Sequence, residues 1–115
     1  MDREALELER WRVALMSELG SPDVGVSTRA LLAMTWDDPD RERVEGVLLD
    51  CLSPDTDPQI RALAVTCMGH VGRIHRAVSV VVVRRLEQLV DDPALGGVAE
   101  DALGDIANFA GENLK

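Results

Sequence analysis

The sequence predicts an all-α protein: about six helices paired into three hairpins and stacked as an α-α superhelix, an α-solenoid. Three observations carry this. The 115 residues are 46% apolar but only 3% aromatic, with Trp11, Trp36 and Phe109 and no tyrosine, so a core can form while a sheet sandwich lacks its usual anchors. Apolar residues recur three and four apart, the period of one helix face. A pattern also repeats at offsets of 34 and 35 residues, from Asp23 to Asp57 to Asp92, the length of one helical hairpin in a repeat array.

Each element follows from local signals. Asp2 to Leu19 carries Leu8, Trp11, Leu15 and Leu19 on one stripe, has acid in its first turn, and stops at Gly20-Ser21-Pro22. It reads as the start of a helix and not as a signal peptide. Asp23 opens a second helix running to Trp36 through Val26, Ala30, Ala33 and Met34. Pro39 to Leu52 places Val44, Val47, Leu48 and Leu52 on one side, with Asp38-Pro39 expected as cap and first-turn proline. Asp57-Pro58 supplies the same pair for a helix through Ile60, Ala64, Cys67 or Met68, and Val71, ending near Arg73. Ser79 is expected to cap the run holding Val82, Leu86 and Leu89. The last helix begins at Asp92 or Gly97 and reaches Phe109.

Aligned on their aspartates, the copies share columns of small residues. Ala30, Ala64 and Ala99 form one, and Ala33, Cys67 and Ala102 another. Gly69 and Gly104 also fall together. A mid-helix glycine costs ~1 kcal/mol relative to alanine, so its recurrence suggests close helix packing at both places. The whole chain, 1–115, then reads as one domain of repeats at about 1–36, 38–75 and 79–109. Two further columns differ in chemistry from copy to copy: Trp36, His70 and Asp105, and one turn earlier Leu32, Thr66 and Asp101. Flanked by small apolar columns, they read as a surface row for a partner.

Charge narrows the partner. The chain holds 21 acidic and 12 basic residues, net −9. This opposes nucleic-acid and anionic-membrane binding and favours a basic protein partner. Residues 1–56 hold 13 acids and 6 bases, net −7, so that partner leans toward the N-terminal repeats. The longest uniformly apolar run, Val80 to Val83, is far below the ~20 residues of a membrane span. Cys51 and Cys67 lie outside any CxxC or Cys/His cluster, which fits a reduced cytoplasmic protein without disulfide or zinc.

Catalytic signals are thin. Cys67 and His70 are three apart, but Cys67 occupies a small-residue column while His70 lies in the outward one, so no nucleophile and base are expected. His70 and His75 are five apart, about 140° around a helix, and do not face one metal. Asp37-Asp38-Asp40, Asp55-Asp57 and Asp91-Asp92 sit at turns and read as caps. Asp55 and Asp57 begin no calcium loop, since Pro58 and Ile60 follow. Arg73, His75, Arg76, Arg84 and Arg85 form one basic spot, suited to helix ends or to an anionic ligand.

Asp57-Pro58, the Ile60-Arg61 pair, and Met68-Gly69-His70-Val71 together resemble the second helix of a HEAT repeat. Ala102-Leu103-Gly104-Asp105-Ile106 is similar to it more closely. The first copy departs from the pattern, with Ser27 for the arginine and Thr35-Trp36 for the glycine pair, and Arg76 stands where the family suggests glycine. The resemblance implies that first helices line the convex side and second helices the concave one. The later segments also look similar to small bacterial HEAT-like proteins, some of which neutralise secreted or contact-delivered toxins. The expected function is therefore a non-enzymatic protein-binding module without cofactor, an immunity-type inhibitor covering a basic toxin domain, as a monomer or weak homodimer. Alternatives are a scaffold or self-associating adaptor pairing through Trp11 or Phe109, a HEAT-like lyase, and a nucleic-acid binder.

Overall fold

A computed structural model describes residues 2–115 and contains six helices: α1 (Arg3–Leu19), α2 (Val24–Asp37), α3 (Arg41–Asp50), α4 (Pro58–His75), α5 (Val80–Leu89) and α6 (Gly96–Ala110). Among the described residues there is no strand, only an isolated parallel bridge between Val78 and Leu114. Carboxylates start four of the helices. Asp2, Asp23, Asp40 and Asp57 each accept from a first-turn amide, as the orphan donors there require.

Three expected caps are corrected. Asp38-Pro39 does not open α3; Asp40 does, accepting from the Arg43 amide at 3.2 Å, while Asp38 closes α2. The reason is that Arg12 claims the Asp38 carboxylate. Ser79 occupies the N-cap position of α5 but makes no side-chain cap bond, because its hydroxyl donates to Glu45 Oε1 at 2.6 Å. Asp92 caps a turn, accepting from the amides of Ala94 and Leu95, and α6 starts only at Gly96.

Consecutive helices pair, α1 with α2, α3 with α4 and α5 with α6, and α4 also packs on both α2 and α6. Principal extents of 43 × 34 × 17 Å describe a slab whose short dimension suits two packed helices. Its core is aliphatic. Leu31, Val44, Leu48, Val65, Met68, Val71, Val82 and Leu86 are fully buried. The small-residue columns lie where expected: Ala30, Ala64 and Ala99 are buried, as are Cys67 and Ala102, with Ala33 half-buried.

The α4–α6 contact is the tightest. A Cβ on Gly69 would stand 3.1 Å from the Ala102 Cα, and one on Gly72 3.1 Å from Ile106 Cγ1. Gly104 is different, since nothing lies within 4 Å of its place for a Cβ. The shared-packing reading therefore holds for Gly69 and fails for Gly104, which faces solvent.

Two polar joints tie the hairpins together. Arg12 of α1 donates from Nε and Nη2 to the two oxygens of Asp38, both at 2.8 Å, and Arg43 Nε of α3 lies 3.7 Å away. Buried Glu45 of α3 accepts from Arg41 at 3.0 Å and from the amide of Ser79 at 2.8 Å. Charges out of water survive only when paired in this way.

Candidate surface on the second helices

The candidate row is carried by α2, α4 and α6, the three helices that contact one another in sequence. Trp36 lies in the last turn of α2 and Asp105 on α6, with His70 between them on α4. Trp36 and His70 meet, their ring centroids 5.3 Å apart and their planes tilted by 43°. Trp36 remains 47% exposed, a large aromatic surface left open. Asp105 continues the row, its Oδ2 lying 3.1 Å from where a Gly69 Cβ would be. The absence of a side chain at Gly69 thus lets a carboxylate sit over α4. In the second column Leu32 and Thr66 are half-buried and Asp101 is exposed.

His70 is the electrostatically distinctive member. Burial and the charge of Arg73 push its pKa below the ordinary imidazole value, against the opposing pull of Asp105. It is neutral at pH 7, and its Nδ1 is buried without a hydrogen-bond partner in the chain. Cys67, one turn earlier, is fully buried. Desolvation pushes its thiol up to about 11, against an opposing pull from the neighbouring Thr35 hydroxyl, so it is a protonated core residue at neutral pH.

The basic spot is divided by the structure. Arg73 lies 3.9 Å from Asp105, and its guanidinium stands 5.0 Å from the Phe109 ring centroid. Arg76 stands over the same ring at 5.0 Å. His75 is half-buried, with Nε2 unpartnered. Arg85, on α5, donates to Gln88 at 3.2 Å, and Arg84 is exposed. Arg73 and Arg76 therefore extend the Trp36–His70–Asp105 row onto Phe109, while Arg84 and Arg85 belong to α5.

Sequence reasoning did not reach the double stacking on Phe109. Its signal was the aromatic at the end of α6, set against arginines at the end of α4; only the helix contact turns that into geometry. Among the described residues no three His, Cys, Asp or Glu side chains are grouped to hold a metal ion, and no helix is long and apolar enough to cross a membrane. Comparison of the chain with protein-family profiles, curated proteins and solved structures finds no match.

Proposed function

We propose that the chain is a protein-binding module, a three-repeat HEAT-like α-solenoid whose second helices present the binding face. The contact order supports this: three consecutive pairs, with α4 bridging α2 and α6. In that arrangement Trp36, His70 and Asp105 line the face that a partner meets. The observation that carries the reading is the half-exposed Trp36 packed against the His70 ring. Exposed tryptophan on a rigid support is the side chain most enriched among interface hot spots.

The finer reading is an immunity-type inhibitor that covers a basic toxin domain. The −9 charge would steer the encounter with a cationic surface, and Trp36 would supply the anchor. The chain acts by occlusion, without chemistry of its own. The test is complex formation with the product of a neighbouring toxin gene, measured by calorimetry. Trp36→Ala combined with His70→Ala is expected to weaken binding by ~2 kcal/mol or more, about 30-fold. Unchanged affinity in the folded double variant moves the site off this face.

A second reading, self-association, is favoured by Leu6, Val13 and Met16 of α1, which are exposed large apolar residues. Sedimentation at several concentrations decides it: a mass that rises with concentration supports a homodimer.

A further inference from the structure

The loop edge of the molecule holds a feature separate from the row. Where the α1–α2 turn faces the α3–α4 loop, a cleft of about 410 Å3 opens to solvent. Cys51 and Ile60, both buried, contribute to its lining with half-buried Leu19, Val24 and Val47, and exposed Met16 stands at its edge. Its charged lining residues are both acidic, Asp50 and Asp57, and no basic residue lines it. We infer that this cleft docks an apolar side chain flanked by lysine or arginine on a segment of a protein partner.

Three observations select that occupant. The lining is mainly aliphatic, so the inserted group is apolar. The carboxylates of Asp50 and Asp57, within an N-terminal region of net −7, complement flanking cations. A free small molecule would need several convergent polar groups to orient it. Two of those present are turned to the chain itself: Ser27 Oγ donates toward the carbonyls of Leu19 and Ser21, both at 3.0 Å, and Asp57 Oδ1 accepts from the Gln59 amide at 2.8 Å, so the open carboxylate edge is the main polar feature left to an occupant. What remains is an apolar slot with an acidic edge, which suits an anchor carried on a chain that is itself held elsewhere. The proposal does not rest on the Trp36–His70 face.

Methyl NMR tests it, following Met16, Leu19, Val24, Val47 and Ile60 during titration with a capped Leu-Arg-Leu-Arg peptide, its Leu-Glu-Leu-Glu counterpart and n-hexylammonium. Saturable shifts at these methyls are expected with the arginine peptide, at least about tenfold tighter than with the glutamate peptide, weakening between about 50 and about 500 mM salt. Val47→Trp, which fills the cleft, should abolish the shifts. Met16→Arg alters an exposed residue and should leave the fold intact while weakening binding about tenfold. Trp36→Ala should leave these shifts unchanged, which separates this outcome from that of the row. The inference is overturned if the arginine peptide fails to bind, if both peptides bind alike, or if binding survives Met16→Arg in the folded protein. Equal affinity for n-hexylammonium also overturns it, in favour of a small-cation site.

Discussion

Arg76 terminates α4 with φ 55°, in the left-handed region, and is the only non-glycine residue with positive φ among those described. An L-residue there costs roughly 1–2 kcal/mol, which is why helices so often end on glycine. Part of that cost is offset by its guanidinium over Phe109, about 0.5–1 kcal/mol at an exposed site. Arg76→Gly is therefore expected to raise stability by about 0.5–1 kcal/mol in urea unfolding. A comparable loss would mean that the Phe109 contact outweighs the strain.

Asp38 shows the opposite balance. Burial pushes its carboxyl upward, but the hydrogen bond from Arg12, the Asp40 amide and the charges of Arg12 and Arg43 outweigh burial and hold it below the ordinary value. Because the folded pKa is the lower one, this stabilisation is fully present above the unfolded value of about 3.9 and is lost as pH falls through the folded pKa. Asp38→Asn should cost about 3 kcal/mol at neutral pH by leaving Arg12 unpaired, and should flatten the acid limb of the stability profile. An acid limb identical to that of the parent would place its origin in other carboxylates.

Between helices, packing decides what glycine is for. Gly69 and Gly104 share one column when the sequence is aligned on Asp57 and Asp92, yet the first meets the Ala102 backbone and the second meets solvent. Gly69→Ala should cost about 1–3 kcal/mol, since the close contact is backbone and cannot rotate away. Gly104→Ala should stabilise by up to about 1 kcal/mol through helix propensity alone. Thermal unfolding of the two variants with opposite signs would establish the α4–α6 contact; equal signs would argue against it. The helices themselves were legible because capping aspartates and 3.6-residue periodicity are local. Two of the three misplaced caps were not, because Arg12 and Glu45, distant in sequence, took over Asp38 and Ser79, whereas Asp92 closes a local turn ahead of α6.

Across the whole molecule, the hairpins are joined by contacts that no single hairpin contains. Glu45 reaches 34 residues along the chain to Ser79, so it links α3 to the start of α5. Glu45→Ala should lower stability by about 2–3 kcal/mol, leaving the Ser79 amide unsatisfied and Arg41 without its buried carboxylate, with only the Ser79 hydroxyl and the exposed Glu42 nearby. Amide exchange should quicken first in α5, whereas uniform quickening would indicate that the hairpins unfold as one unit. The charge is also a property of the whole: Arg73, Arg76 and Phe109 place a cationic end on an otherwise acidic chain.

Local and compositional signals settled the helical class, the six helices, the small-residue columns and the charge balance, since each depends on neighbours within a turn or two or on composition alone. They also put Trp36, His70 and Asp105 in one column of the aligned sequence, and the folded chain sets Trp36 against His70 with Asp105 beside Gly69. The stacking of Trp36 on His70, the two arginines on Phe109, the pairing of Arg12 with Asp38 and the acidic-edged cleft came from the folded chain. Each requires groups from different helices to come within a few ångströms, and that separation is set by how side chains pack across the core, which no local pattern encodes.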